Sequence, residues 1–220
     1  MRRILSLLLP ATLVATVFAV APAQAATARQ PILFVHGWNS SGTTWNTMAS
    51  RFRAAGYTSA ELIQWSYNSG QDNVITAQQV KTKVDEIRNA TGWAKIDIVT
   101  HSMGGLSTRY YLKNLGGQSA TDEWVSLGGP NHGTNTAYFC STRSCVDMRP
   151  GSAFLNNINA GDETPGEVRY GTWWSPCDNT INPDSSVSLV GATNTRTACI
   201  SHTAIKEDAA VFSQVRAYVA

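Results

Sequence analysis

Ile96-Asp97-Ile98-Val99-Thr100-His101-Ser102-Met103-Gly104-Gly105 runs from a β-branched apolar stretch through a single serine into a glycine pair. An amphipathic segment, Leu106 to Leu115, follows at once and stops at Gly116-Gly117. Strand, tight turn and helix in that order hold a serine in strained backbone and leave its hydroxyl exposed. The helix N-terminus also aims its partial positive charge at any oxyanion formed there. Ser102 is therefore the candidate nucleophile. One position departs from the usual Gly-x-Ser-x-Gly pattern: residue 100 is Thr, whose side chain needs room beside the turn. The same residues also fit an ordinary Gly-rich turn with a helix-capping serine, so a second element has to decide.

Pro31-Ile32-Leu33-Phe34-Val35-His36-Gly37-Trp38, an apolar strand ending in His-Gly, is that element. Acyl transfer through a serine makes a tetrahedral oxyanion, which needs at least two preorganised donors. One comes from the residue after the nucleophile, the other from the loop after an earlier strand. The backbone N–H groups of Met103 and Trp38 are placed to be those donors. Losing one such donor usually costs ~3–4 kcal/mol of transition-state stabilisation. His36 reads as structural, its ring bracing the loop.

Around these two stretches, short apolar runs alternate with longer segments of helical period. Pro31–Val35, Leu62–Tyr67, Ile96–Thr100, Trp124–Leu127, Val168–Trp174 and Val187–Val190 read as strands. Thr44–Ala55, Val74–Ala90, Leu106–Leu115 and Ile205–Val219 read as helices. Strands separated by helical stretches imply an α/β fold, a mostly parallel sheet with helices on both faces. No internal repeat or linker divides the chain. Tyr138 to Glu167, rich in Gly, Asn and Pro, reads as a surface excursion.

Of 220 residues, 43% are hydrophobic and 15% charged, too apolar for a disordered chain. The formal net charge of +2 comes from Arg2 and Arg3 alone. The rest is balanced, with no basic run, so nucleic-acid binding is set aside. Met1-Arg2-Arg3, the apolar run Ile4 to Val20 and Ala23-Gln24-Ala25 read as a signal peptide over 1–25. A transmembrane anchor needs about 20 uninterrupted apolar residues, and Pro10 breaks this run. A catalytic domain over 26–220, secreted and extracellular, is the expectation. In an oxidising compartment Cys140, Cys145, Cys177 and Cys199 should form disulfides. Cys140 and Cys145 suit a small local loop, which leaves Cys177 with Cys199. With no Cys-x-x-Cys and no His-Glu-x-x-His, no metal and no cofactor is expected.

At this point the chain resembles the α/β-hydrolase family, and within it the small secreted bacterial lipases. Val35-His36-Gly37-Trp38 is similar to their oxyanion loop and Thr100 to Gly105 to their elbow, where Ala or Thr replaces the first Gly. Ser126-Leu127-Gly128-Gly129-Pro130-Asn131-His132-Gly133-Thr134 is similar to the strand and turn after the elbow helix. The resemblance implies a minimal α/β-hydrolase fold without a large lid domain, and a triad whose acid precedes its histidine. A serine needs a histidine base, and the base needs a carboxylate to fix its tautomer. His36 belongs to the oxyanion strand, His101 adjoins the serine and His132 precedes the plausible acids. His202, where the family puts its base, remains. Asp178 and Asp184 contend for the acid, with Asp147 and Asp162 further back. Asp178 follows a strand at the carboxyl end of the sheet, where parallel sheets place their sites, and the resemblance points to it as well. Asp178, Asn182 and Asp184 lack the glycine and distal glutamate of a calcium loop.

The expected function is a secreted serine ester hydrolase of the triacylglycerol lipase type, cleaving lipid esters through an acyl-enzyme intermediate. Ester or lipid at a lipid–water interface is the expected partner, for a monomer without a transmembrane anchor. Trp38, Trp45, Met103, Leu106 and Phe139 should lie near the mouth of the site. Two rivals stand beside this reading. A polyester depolymerase or cutinase-like esterase would use identical residues. A catalytically silent binding protein on the same scaffold would lack a triad member.

Overall fold

Four apolar residues with no solvent exposure, Ile32 to Val35, form strand β1 (Ile32–Val35), and their alternation decides the layering. Ile32 and Phe34 pack into one core, Leu33 and Val35 into another. A strand covered on both faces reads as a continuous apolar run. The computed structural model describes residues 29–219; the signal peptide expected over 1–25 lies outside the described residues. Strands β2 (Leu62–Trp65), β3 (Ile96–His101), β4 (Thr121–Leu127), β5 (Arg169–Trp174) and β6 (Thr193–Arg196) complete a six-stranded sheet. Its order is β2-β1-β3-β4-β5-β6, and every neighbouring pair is parallel.

The helices are α1 (Asn46–Ala54), α2 (Asn73–Thr91), α3 (Gly104–Asn114), α4 (Arg143–Asp147), α5 (Ala153–Asn159) and α6 (Ala209–Tyr218). Met48, Ala49 and Phe52 of α1, with Val211 and Val215 of α6, cover the Ile32/Phe34 face. Ala77, Val80, Val84 and Ile87 of α2, with Tyr111 and Leu112 of α3, cover the other. Each large apolar side chain so buried contributes ~1.5–3 kcal/mol relative to exposure. Helix α2 is capped by Asp72, whose Oδ1 accepts from the Val74 N–H at 2.8 Å, and ends at Gly92 with φ of 77°. The doubly covered parallel sheet is as expected, and no large lid stands over it among the described residues.

One strand is not where the apolar pattern put it. Val187 and Leu189 are buried, yet they belong to a 3-10 turn (Asp184–Val187) and the loop after it. The last strand is instead Thr193-Asn194-Thr195-Arg196, a polar segment paired only with β5. An edge strand needs backbone pairing rather than an apolar face, and Asn194 Oδ1 accepts from Thr172 Oγ1 at 2.7 Å. Likewise, Ile205 and Lys206 form a separate 3-10 turn before Asp208 caps α6. The excursion after β4 is also more ordered than its composition suggests. A 3-10 turn (Asn135–Phe139), α4 and α5 lay Ala137, Met148, Phe154, Leu155 and Ile158 against Met103 and Leu106.

At the amino end of β3, Asp97 is fully buried. Its Oδ1 accepts from Gln30 Nε2 at 3.0 Å and from the Glu123 N–H at 3.2 Å, while Oδ2 has no hydrogen-bond partner among the described residues. Burial, reinforced by the neighbouring Glu123 carboxylate, pushes the Asp97 carboxyl well above the usual range. An acid raised on folding makes the folded state take up a proton. Its cost is absent below the unfolded pKa and grows as pH rises toward the folded one. Asp97→Asn should therefore melt higher than wild type by about 3 °C or more at pH 8, with the gap narrowing toward pH 4. Thermal melts across that range decide it; a gap that widens in acid contradicts the assignment.

Candidate active site

Ser102 sits between β3 and α3 with φ of 55°, in the left-handed region that costs most residues ~1–3 kcal/mol. Crowding explains the flanking glycines. A Cβ on Gly37 would lie 2.7 Å from the Ser102 Cβ, and one on Gly104 2.6 Å from the His36 carbonyl oxygen. The Ser102 N–H donates to the Leu127 carbonyl at 2.9 Å, tying the turn to β4. Thr100 finds its room on the same neighbour. It is fully buried, and its Oγ1 donates to the Val125 carbonyl at 2.8 Å.

His202 lies in the loop after β6, and its Nδ1 donates to Asp178 Oδ2 over 2.7 Å. The other Asp178 oxygen accepts from the Thr180 and Ile181 N–H groups at 2.9 and 3.0 Å. Burial alone would raise this carboxyl. The His202 imidazole and the two amides outweigh burial and hold it below the usual carboxylate range. Gly128, with φ of 58°, brings backbone so close that a Cβ there would sit 3.2 Å from Asp178 Oδ2 and His202 Nδ1.

The competing residues are engaged elsewhere. Asp184 opens its 3-10 turn. Asp147 accepts from the Asn73 backbone and side chain, and Asp162 from the Thr164 N–H. His132 pairs with Glu163 at 2.7 Å. His36 donates from Nδ1 to the Gly37 carbonyl at 2.7 Å and accepts at Nε2 from the Tyr67 N–H at 3.3 Å. Burial lowers its pKa and keeps it neutral, the tautomer those partners require. Its carbonyl accepts from Tyr67 Oη at 2.6 Å, and the two rings stack at 4.1 Å. His36 braces the loop, as expected.

One contact was not readable from sequence. His101 Nε2 donates to the His202 carbonyl at 2.9 Å, its ring 4.6 Å from the His202 ring. Full burial, then the charge of the facing His202, drives the His101 pKa down to about 3. His101 thus acts as a strut under the His202 loop. Only the neighbouring position of a histidine to the serine hinted at it.

Met103 is buried and Trp38 is 40% exposed, and no described residue accepts from either backbone N–H. Trp38 Nε1 donates to Thr142 Oγ1 at 3.1 Å, anchoring the loop after β1 to the excursion. Ser102 and His202 line one cleft of about 350 Å³, walled by Trp38, Ala137, Phe139, Met148 and Ile181. Trp45, Met103 and Leu106, expected near the mouth, are instead fully buried core residues. A second hollow of about 480 Å³ lies at the amino end of the sheet, between Arg29, Trp93 and Arg216, away from Ser102 and His202.

The disulfides pair as the spacing suggested: Cys140 with Cys145 and Cys177 with Cys199, at Cα separations of 5.9 and 5.0 Å. The second joins the Asp178 loop to the His202 loop. Ser175 makes a parallel link, donating to the Ile200 carbonyl at 2.6 Å and accepting from its N–H at 3.0 Å. A Cys177→Ser, Cys199→Ser variant should lose about 3 kcal/mol of stability from the opened loop. Its kcat should also fall where it remains folded, because the carboxylate and imidazole are then held less closely. Denaturant titration and steady-state kinetics read the two effects separately; full kcat in the folded variant reduces the bridge to a staple.

An all-parallel sheet, covered on both faces and carrying a left-handed serine at the carboxyl end of a central strand, defines the α/β-hydrolase class. The family described as lipase (class 2) matches residues 29–216, and the chain belongs to it: it is a carboxylic ester hydrolase. Among solved structures, the mature lipase BlEst2 of Bacillus licheniformis superposes with a TM-score of 0.76 at 18% identity. That match covers 88% of this chain and 93% of the other. Lipase B of Aspergillus fumigatus gives 0.73 at 17% identity over 85% of this chain. It covers 51% of the fungal lipase, so the chain spans about half its length. A Listeria innocua protein gives 0.67 at 13% identity, over 85% of this chain and 92% of the other. At such identities the likeness is one of fold.

Proposed function

We propose that the chain is a secreted serine hydrolase of acylglycerol or similar lipid esters, acting through Ser102, His202 and Asp178. The observation that carries this reading is the 2.7 Å Asp178–His202 hydrogen bond beside the cleft that His202 shares with Ser102. His202 Nε2 takes the Ser102 proton as Oγ attacks the ester carbonyl. Asp178 keeps Nδ1 protonated and stabilises the imidazolium that forms. The Trp38 and Met103 N–H groups donate hydrogen bonds to the carbonyl oxygen as negative charge develops on it. Collapse expels the alcohol, which takes its proton from His202, and water then releases the acyl group by the same steps reversed.

The rim supports a lipid substrate. Phe139 is 91% exposed, Tyr138 57% and Trp38 40%, and Phe139 and Trp38 line the cleft. Exposed aromatic side chains grouped at a cleft mouth mark a surface meant for something apolar. The leader over 1–25 and two disulfides support export.

A serine-directed phosphonate, followed by rates on esters of rising acyl length below and above their solubility limit, tests the reading. A single adduct on Ser102 and activity that rises at the limit are expected. An unlabelled, inert protein would favour the silent scaffold, and preference for a polyester film would favour the depolymerase.

A further inference from the structure

Histidines aside, the cleft holding Ser102 and His202 has one charged side chain in its lining among the described residues, Lys206. Lys206 closes the 3-10 turn Ala204–Lys206, four positions after His202, and is only 4% exposed. Lysine is almost never so buried unless paired. Its Nζ donates to the Thr203 carbonyl at 3.2 Å and to Glu207 Oε1 at 2.7 Å. An ammonium has three donors, so one is left over.

The two sides of this ammonium differ. Glu207 meets it from the solvent side, with a side chain 53% exposed, where water screens the pair. Among the described residues that line the cleft with Lys206 there is no carboxylate. The buried Asp178 is spent on His202, Thr180 and Ile181. A charge partnered only from its exposed side, beside a low-dielectric groove, acts more strongly than the same charge in water.

We infer that Lys206 is a specificity-determining residue favouring esters that carry an anionic group, a carboxylate or phosphate on the acyl or alcohol portion. This rests on the hydrolase reading of the same cleft. The bland alternative is an ion pair that merely holds the loop after His202. It predicts equal losses on neutral and anionic esters when Lys206 is changed.

The probes are 4-nitrophenyl butyrate, the anionic mono-4-nitrophenyl glutarate and 4-(butyryloxy)benzoate. Lys206→Met should lower kcat/KM on at least one anionic ester about tenfold more than on the neutral one. Glu207→Gln removes the screening partner at an exposed position, and should raise the anionic-to-neutral ratio a few-fold. If Lys206→Met fails to fold, Glu207→Gln and salt carry the test. In wild type, raising ionic strength should depress the anionic rates relative to the neutral rate. Unchanged ratios in the soluble variants and in salt overturn the inference. Absence of Ser102-dependent turnover of 4-nitrophenyl butyrate overturns the hydrolase reading instead, so the two failures are distinct.

Discussion

Ser102→Ala is expected to lower kcat/KM on a soluble ester by about 10⁴–10⁶-fold while leaving the melting curve close to wild type. Two features separate activity from stability here. The Ser102 backbone is held by the Leu127 carbonyl and by the crowding of Gly37 and Gly104, not by the hydroxyl. The left-handed φ of 55° strains serine and alanine alike, so the exchange adds little backbone cost. What disappears is the attacking oxygen. The residue of activity would come from binding and from the Trp38 and Met103 amides acting on a water-driven reaction. The check is steady-state turnover with active-site titration, to exclude contaminating wild type. An alanine variant keeping more than a thousandth of the activity would mean the nucleophile is elsewhere.

The elbow was legible because its chemistry is contiguous: strand, serine and glycine pair occupy ten adjacent positions, and each constrains the next. The strand and turn from Pro31 to Trp38 were legible for the same reason. Long-range pairings were less so. Asp178 and Asp184 both stand in turn-rich sequence before His202, and spacing alone favours neither. What separates them is the local turn, in which the Thr180 and Ile181 amides grip one Asp178 oxygen and leave the other for His202. That is backbone geometry, which composition does not encode. The edge strand β6 escaped because Thr193 to Arg196 has no apolar face to bury, while buried Val187 and Leu189 mimicked one. Thr100 looked like a departure only because the room for it is made by a neighbouring strand, where Val125 accepts its hydroxyl. Lys206 carries no motif at all. Only the way its 3-10 turn folds brings it to the cleft.

Asp178→Asn should reduce kcat by about 10⁴-fold, and Asp184→Asn by no more than about twofold. The asparagine keeps an oxygen where the Thr180 and Ile181 N–H groups need an acceptor, so the turn has its hydrogen bonds and the protein folds. The amide nitrogen then occupies the Oδ2 position, 2.7 Å from His202 Nδ1 in the native protein. Two donors cannot face each other, so Nδ1 must become the acceptor and the proton moves to Nε2. A histidine protonated at Nε2 cannot take the Ser102 proton. The imidazolium also loses the carboxylate that stabilises it, one that burial would raise but the His202 imidazole and the two amides hold below the usual range. Among the described residues the histidine–carboxylate pairs are His132 with Glu163 and His202 with Asp178, not Asp184, so its exchange leaves this arrangement alone. Kinetics of both variants on one soluble ester, beside their melting temperatures, separate the two acids. An Asp178→Asn enzyme with more than a tenth of wild-type kcat, beside a dead but folded Asp184→Asn enzyme, would reverse the assignment.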